Sequence, residues 1–355
     1  MGEPDHFAAG PARLGALIDG WVGLAELQSL RDVEQEQRAP WASISQGAAG
    51  NAYALWYVAT RRRHPTALAA ARRWARFATR AAERRSGFRN REFRRVPLAS
   101  SVVFGRPGLQ VVDALLAHAR GTSTARAPAF ARLRAALTRG GAAPTEFMAG
   151  QAGALTAALL VRRCTGDESM GPVVETLAHR LLGGAALPTR GFAHGQAGVQ
   201  HALLAWSHQT KTELPGGVHG ALLRSTDAEI IAAAPPLAGT WCNGLTGFVL
   251  LWVKAYELTG DAVWRERARA TARSLTQLPA GNGSLCCGLG GRAYALLALS
   301  RIDQTEDWRS RATELCVRGL GAVPGHGVFR GLPGLVCLAV DLTTPGEARF
   351  PLVEP

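Results

Sequence analysis

The sequence lacks the features that place a protein in or across a membrane. It contains no stretch close to the roughly 20 uninterrupted apolar residues that a membrane span requires. Its first residues, MGEPDH, carry neither the basic segment nor the apolar segment of a secretory signal peptide. We therefore predict a protein without a membrane span that works in the cytoplasm.

Acidic residues and lysine are both scarce. The chain has 27 Asp and Glu residues against 40 Lys and Arg residues, a formal net charge of +13, and its lysines are Lys211 and Lys254. An arginine-rich surface attracts anionic partners, although a genome-wide bias toward arginine codons would give the same composition. No nucleic-acid-binding motif accompanies the charge, so we predict no nucleic-acid partner.

Cysteine is too rare for a disulfide-built protein. Six cysteines in 355 residues argue against a disulfide framework in a long cytosolic chain. Cys164, Cys316 and Cys337 lie in apolar helical stretches and are interpreted as core residues. With 47% apolar and only 19% charged residues, the chain can bury a large core, and disorder is excluded as its main state.

An internal repeat organises the chain. A Gly-x-x-Gly pair followed by an apolar run occurs seven times, and successive pairs are 43 to 58 residues apart. One such pair carries no information, whereas seven at a nearly constant period indicate a repeat protein. The pairs begin at Gly47, Gly105, Gly150, Gly195, Gly244, Gly288 and Gly331.

Each period contains two helical segments. The run after each Gly pair is apolar on nearly all sides and predicts a buried helix. The second segment, as in residues 261–277, mixes apolar positions at helical spacing with Arg and Glu, as in an amphipathic outer helix. Buried helices need shielding on both sides, which favours closure of the seven hairpins. We predict one all-α domain over residues 1–355, an α/α toroid of seven helical hairpins with an inner and an outer ring and no strand.

The most reactive side chains share one position in the repeat. Glu146, His194, Cys242, Cys286 and Cys287 all lie one to four residues before the first glycine of a pair, in four consecutive repeats. In a ring, these positions all arrive at the same mouth. We therefore expect the five side chains to converge there.

The three thiols of this set suit a soft metal. Zinc, with Zn–S bonds of about 2.3 Å, is the default ion for such donors. A structural zinc site is closed by four protein ligands, so three thiols leave the open position of a catalytic site. The alternative is that Cys286 and Cys287 are an ordinary buried pair. His194 is a candidate for catalysis because of its place in the repeat, and His201 is interpreted as a packing residue.

These motifs resemble those of the lanthionine synthetase C-like cyclases. The resemblance spans residues 40–340 and rests on the repeated Gly-x-x-Gly, His-Gly-x-x-Gly at 194–198, Trp-Cys-x-Gly at 241–244 and Cys-x-Gly at 286–288. It implies a zinc-bearing α/α toroid that closes thioether rings in lanthipeptide precursors, by adding a peptide Cys thiolate to dehydroalanine or dehydrobutyrine. It further implies that Cys242, Cys286 and Cys287 are the Zn²⁺ ligands and that His194 is an acid/base residue.

Three positions depart from the pattern of this family. Cys287 replaces the His of the usual Cys-His-Gly motif, although a Cys-Cys-Gly variant is known in some members. Glu146 stands where the family usually carries an Asp. Ala238 stands where an Arg is common, four residues before the first ligand cysteine, and Arg330 is a candidate to supply that cation.

The resemblance also implies a reaction and its partners. Attack of the substrate thiolate on the alkene gives an enolate, which His194 is placed to protonate, and Glu146 would orient that imidazole or help to take the thiol proton. We expect a dehydrated precursor peptide as substrate. Because no kinase or lyase segment is recognisable before the toroid, we also expect a separate dehydratase. The basic segment 86–95 is either a contact for an acidic leader segment or a solvated loop.

Three other functions remain open at this point. A glycosidase on a helical ring would need two carboxylates at the mouth, whereas Glu146 is the one acidic residue at an equivalent position. A glutathione-type adduct former would use the same zinc chemistry on a small thiol. A non-catalytic member would only bind the modified peptide or act as a scaffold for its partners.

Overall fold

The computed structural model describes residues 9–28, 41–89, 98–139, 143–214, 237–279, 281–323 and 325–355. Within these ranges the regular structure is helical, and the only β-type pairing is one isolated bridge between Gly325 and Gly331. The predicted all-α class is confirmed. No helix in the described part of the chain is long and apolar enough to cross a membrane.

Seven inner helices begin directly after the first glycine of each pair, which is the N-cap residue in an extended conformation. Their apolar faces are buried on nearly all sides, as the sequence predicts. The inner helices are α2 (Ala48–Arg62), α4 (Arg106–Arg120), α6 (Gln151–Thr165), α8 (Gln196–Thr210), α9 (Leu245–Thr259), α11 (Leu289–Leu299) and α14 (Leu332–Thr343).

Outer helices cover the inner ring. The described ranges contain six of them. The second helical segment predicted for the fourth repeat has none, because residues 215–236 lie outside those ranges. A short helix, α13 (Gly327–Arg330), precedes the last inner helix. The outer helices are α1 (Ala9–Leu27), α3 (Pro65–Glu83), α5 (Ser123–Thr138), α7 (Gly171–Leu182), α10 (Ala262–Gln277) and α12 (Trp308–Gly319).

The inner helices form a closed ring. Each one contacts the next along the chain, and the last, α14, contacts the first, α2. The outer partner of α14 is α1, which packs against it between α12 and α3. The seventh pair is therefore assembled from the two ends of the described chain, and the predicted double ring is confirmed.

Hydrogen bonds join the loops before the inner helices into an uninterrupted belt, here called the loop belt. Each loop donates to the next, so all seven loops lie along one mouth of the ring. The bonds are Ser45 N to Val103 O (3.1 Å), Ser101 Oγ to Met148 O (2.7 Å), Met148 N to Ala193 O (2.9 Å), Ala193 N to Cys242 O (2.8 Å), Trp241 N to Cys286 O (2.9 Å), Cys286 N to Phe329 O (3.0 Å) and Phe329 N to Ser45 O (3.3 Å).

The second glycine of each pair lets the belt lie tightly on the helices. A Cβ added at Gly198 would lie 2.0 Å from the carbonyl oxygen of Phe192, and one at Gly153 would lie 2.1 Å from that of Phe147. No side chain fits at such a distance, so the first turn of the inner helix packs directly on the loop that precedes it. The Gly-x-x-Gly period is thus a packing requirement.

Aromatic side chains fill the bore of the ring below the mouth. Phe147, Phe192 and Trp241 each lie three residues before a Gly pair and are fully buried. Their ring centroids are 5.5, 5.4 and 5.6 Å apart, although they come from three different repeats. Trp241 also stacks on Phe329 at 5.2 Å. The loop belt therefore rests on an aromatic floor, which is defined by these four residues.

The C-terminal segment, residues 344–355, packs against the underside of this floor. Phe350 has no exposed surface, and its ring lies 5.6 Å from that of Trp241 and 5.0 Å from that of Tyr294. Glu354 is also buried and forms an ion pair with Arg301 at 2.6 Å. The segment therefore belongs to the core of the ring.

A buried carboxylate links three inner helices. Asp341 of α14 accepts hydrogen bonds from the hydroxyl groups of Tyr57 on α2 (2.7 Å) and Tyr294 on α11 (3.1 Å). Arg61 lies 3.4 Å from the same carboxylate. Burial nevertheless raises the pKa of Asp341 to about 7, because the charged form loses its hydration.

Of the residues interpreted as packing, Cys316, Cys337 and His201 lie in the core, whereas Cys164 lies at its edge. Cys316 and Cys337 are fully buried, and so is His201, whose ring lies 5.0 Å from that of Phe192. Cys164 is only partly buried and lines a cavity. Of the basic segment 86–95, residues 90–95 lie outside the described ranges, so its predicted contact stays a prediction.

Candidate metal and acid/base site

The loop belt brings the three predicted thiols together. The Sγ atoms of Cys242, Cys286 and Cys287 all lie within 4.8 Å of one another. Cys287 Sγ lies 3.9 Å from that of Cys242 and 3.3 Å from that of Cys286. The backbone N–H of Trp241, the residue before Cys242, donates to the carbonyl oxygen of Cys286 and so joins the two loops that carry the thiols. Cys242 and Cys286 are buried and Cys287 is half-buried, so the cluster opens at Cys287.

The thiols perturb one another strongly. The pKa of Cys242 is lowered because the thiols of Cys286 and Cys287 hydrogen-bond to its thiolate. The same hydrogen bond to Cys242 raises the pKa of Cys287, to about 11, and that of Cys286 well above its ordinary value. The Nδ2 of Asn243 lies 3.6 Å from Cys242 Sγ and is a further donor. The cluster thus favours a thiolate at Cys242.

His194 and Glu146 form a hydrogen-bonded pair at the same mouth. His194 Nδ1 lies 2.5 Å from Glu146 Oε2, and the other carboxylate oxygen accepts from the backbone N–H of Ala149. The imidazole is 41% exposed, whereas the carboxylate is only 10% exposed. The anchored carboxylate therefore fixes the ring while leaving part of it open to the mouth.

This pair is electrostatically linked to the thiols. The pKa of His194 is raised, first by the hydrogen bond to Glu146 and also by the charges of Glu146 and Cys242, against the effect of burial. A protonated His194 in turn lowers the pKa of Cys242. The bond from Ala193 N to Cys242 O joins the two loops beside these side chains. All five candidate residues thus meet at one mouth.

Comparison with known proteins identifies the family. Residues 41–354 match the family described as lanthionine synthetase C-like protein. The chain belongs to this family. The nisin cyclase structure matches over 97% of both chains with a TM-score of 0.71 and 14% identity, a likeness that shows the fold.

Two curated relatives match shorter parts of the chain. Glutathione S-transferase LANCL1 of Danio rerio is 29% identical over 142 residues, which are 36% of this chain and 34% of the relative. LanC-like protein GCL1 of Arabidopsis thaliana is 27% identical over 261 residues, which are 59% of this chain and 57% of the relative. The matched part of the chain thus spans about a third of the length of the first relative and over half the length of the second.

The thiol cluster has the donor chemistry of a zinc site. Bonds of about 2.3 Å in tetrahedral geometry place sulfur ligands about 3.8 Å apart. The separation of 3.9 Å between Cys287 and Cys242 matches that spacing, the 3.3 Å between Cys287 and Cys286 is shorter, and all three Sγ atoms lie within 4.8 Å of one another. Soft thiolate donors also select zinc over Mg²⁺ or Ca²⁺. The three residues therefore fit a zinc ion and could hold one.

One arginine acts on the cluster and another lies beside the loop of Ala238, where this family commonly carries an arginine. The charge of Arg330 offsets part of the rise in the pKa of Cys287. Arg292 of α11 is buried beneath the loop of Ala238 and donates to the carbonyl oxygens of Gly239 (3.4 Å) and Pro279 (2.8 Å). A Cβ at Gly239 would touch its guanidinium at 2.4 Å. A cation from another repeat, Arg292, thus lies beside position 238.

Sequence reasoning missed both Arg292 and the aromatic floor. Arg292 interrupts the otherwise apolar run of α11, which was a usable signal for a buried functional group. The aromatic residues at 147, 192 and 241 share one position in the repeat, as the reactive residues do. That shared position was the signal for the floor.

Proposed function

We propose that this protein is a zinc-dependent lanthipeptide cyclase. It would add peptide Cys thiolates to dehydroalanine or dehydrobutyrine and form lanthionine or methyllanthionine rings. The observation that carries the proposal is the Cys242–Cys286–Cys287 cluster beside the Glu146–His194 pair, at one mouth of a ring in a lanthionine synthetase C-like chain.

Zinc held by the three thiolates would lower the pKa of the peptide thiol that takes the fourth position. The half-buried Cys287 lies on the accessible side of the cluster, where a peptide enters from the mouth. The aromatic floor below closes the bore, so the substrate approaches from this one side. The protein thus holds the thiol against an alkene delivered along the same face.

His194 is assigned the proton that completes the addition. The sulfur forms a bond to the β-carbon of the alkene and the π electrons move toward the carbonyl, which leaves an enolate. His194 transfers its proton to the α-carbon. The proton released by the substrate thiol replaces the one that His194 gives up, so no atom is gained or lost. Glu146 favours the protonated imidazole and holds Nδ1, which directs Nε2 to the substrate.

Zinc content and ring closure test this proposal together. Purified protein should contain about one zinc per chain and should remove free thiols from a dehydrated Cys-containing peptide, as followed by alkylation and mass spectrometry. Cys242→Ala should lose both properties, and His194→Ala should keep the zinc and lose ring closure. Cys164→Ala is the matched control, because that thiol lies outside the cluster.

Two results would contradict the cyclase assignment. Activity of the wild type without zinc would remove the metal from the proposal. Full zinc occupancy and peptide binding without ring closure would favour the non-catalytic scaffold, which would hold the modified peptide for a partner.

Glutathione transfer is the second candidate function. It is favoured by the name of one relative, glutathione S-transferase LANCL1, which matches 36% of this chain. The same site would then add glutathione to a dehydrated residue. A dehydrated peptide without Cys, incubated with glutathione, separates the two functions, because only a transferase converts it.

The proposal includes partners and a compartment. The dehydrated residues must come from a dehydratase, and we propose that it is a separate protein. Six free cysteines, three of them clustered at the site, suit the reducing cytoplasm, because an oxidising compartment would couple neighbouring thiols.

A further inference from the structure

A cavity lies at the end of the ring opposite the mouth. Its volume is about 600 Å³, and its walls come from the C-terminal ends of α2, α4 and α6, the start of α3 and the C-terminal segment. The inner helices all begin at the mouth, and a 15-residue helix is about 22 Å long. This far-end pocket is therefore separate from the thiol cluster.

Guanidinium groups dominate the charge of the far-end pocket. Arg61, Arg63, Arg163 and Arg349 line it, and the one carboxylate among the lining residues is Glu347. Glu347 is already paired with Arg349. The pocket thus keeps a positive charge even when this ion pair and the contact of Arg61 with Asp341 are counted.

Two of these arginines are unused by the fold. Within the described residues, the side chains of Arg63 and Arg163 form no hydrogen bond or ion pair, and both residues are exposed and line the cavity. Burial raises the pKa of Cys164 and of Tyr53, and the charge of Arg163 offsets part of that rise. Arg61 Nε has no hydrogen-bond partner in the described part of the chain.

Stabilisation of helix ends explains only part of this cluster. A cation in the last turn offsets the partial negative charge of a helix C-terminus, and Arg61 and Arg163 are placed for that role. Arg63, however, follows α2 in a left-handed conformation, and Arg349 comes from the C-terminal segment, which has no helix. Four arginines on the wall of one cavity exceed what the helix ends require.

The remaining walls are apolar. Trp56, Leu68 and Leu115 line the cavity beside the arginines. Its volume lies within the range of about 300–1,000 Å³ that is typical of small-molecule sites and far above the size of a single phosphate ion. Guanidinium forks match phosphate oxygens in pairs, and apolar walls suit an organic group.

We propose that the far-end pocket binds a small phosphorylated organic molecule. Its phosphate lies among Arg63, Arg163 and Arg349, and its organic part lies against Trp56 and Leu115. This ligand is distinct from the peptide at the mouth, and its binding does not depend on the cyclase reaction.

Phenyl phosphate is the probe that tests this site. It should bind the full chain with one-to-one stoichiometry in isothermal titration calorimetry, more tightly than inorganic phosphate and than phenol. The double variant R63Q/R163Q should bind it at least about tenfold more weakly, as expected for lost charge-assisted hydrogen bonds. R76Q/R80Q is the matched control: it removes the same charge from exposed positions of α3 outside the pocket and should bind like wild type.

Three outcomes would overturn the proposal. Equal weakening in both double variants would show a general effect of net charge, and phenol binding as tightly as phenyl phosphate would show an apolar cavity. Inorganic phosphate binding as tightly as phenyl phosphate would remove the organic part of the ligand. A thermal unfolding curve for each variant confirms that the comparison is made on folded protein.

Discussion

Phe350→Ala should destabilise the ring from its centre. The side chain has no exposed surface, and its ring lies among those of Trp241, Tyr294 and Phe329 at 5.6, 5.0 and 6.3 Å. Truncation leaves a void beneath the aromatic floor. The helices around it form a closed ring, so they cannot move inward to fill the void. The C-terminal segment also loses its largest contact with the core.

The expected cost lies at the upper end of the range for a buried phenylalanine. Phe-to-Ala substitutions in cores cost about 3–5 kcal/mol. Each aromatic pair contributes about 0.5–1.5 kcal/mol beyond its buried area, and Phe350 has three such pairs. We therefore expect about 5 kcal/mol. Phe130 is equally buried, but within the described residues its aromatic contact is the guanidinium of Arg126 at 5.7 Å, so Phe130→Ala should cost about 3 kcal/mol.

Equilibrium unfolding in urea, followed by circular dichroism, measures both values. A chelator assay adds a second readout, since Trp241 precedes Cys242: zinc should leave Phe350→Ala faster than Phe130→Ala. If Phe350→Ala costs no more than Phe130→Ala and releases zinc at the same rate, the segment does not support the floor and this reasoning is wrong.

Three further substitutions test the electrostatics. Glu146→Gln removes the charge that raises the pKa of His194, so the alkaline limb of the pH–rate profile should move to lower pH; an unmoved limb would contradict this. Cys287→His should retain zinc by elemental analysis, slow cyclisation and shift its pH profile toward acid, because one thiolate charge is lost; a faster variant at every pH would contradict this. Asp341 binds its proton more tightly in the folded state, with a pKa of about 7, so stability should fall as the pH rises from about 4 to 7. Asp341→Asn should flatten that dependence in thermal unfolding, and an unchanged slope would exclude Asp341 as its source.

Much of the fold was predictable because one packing rule repeats. A helix whose first turn touches its own preceding loop needs glycine at a fixed position, as at Gly153 and Gly198, and the apolar run must follow. The outer partner of the last inner helix, α14, was not predictable from the sequence. That partner is α1, which ring closure brings to α14 from the other end of the described chain. Residues 344–355 carry no helical period, so nothing local indicated their burial.

The candidate site was predictable as a set but not as a geometry. Equivalent repeat positions indicated that Glu146, His194 and the cysteines would meet at one mouth. Glu146 uses one carboxylate oxygen for His194 and the other for the backbone N–H of Ala149. The second contact depends on the turn from Glu146 to Ala149. The cation beside Ala238 comes from Arg292, 54 positions along the chain, and only the packing of neighbouring repeats brings the two together.

The loop belt makes this protein unlike an open repeat array. A solenoid has end repeats that fray and need polar caps, and it tolerates the gain or loss of a unit. The belt has no first or last member, so removing one repeat would break two of its bonds and leave an arc that cannot close. Evolution can therefore lengthen the connections between repeats, whereas the count of seven is fixed. A circular permutant cut between any two repeats would keep every bond of the belt, provided that a linker joins the segment after α14 to α1.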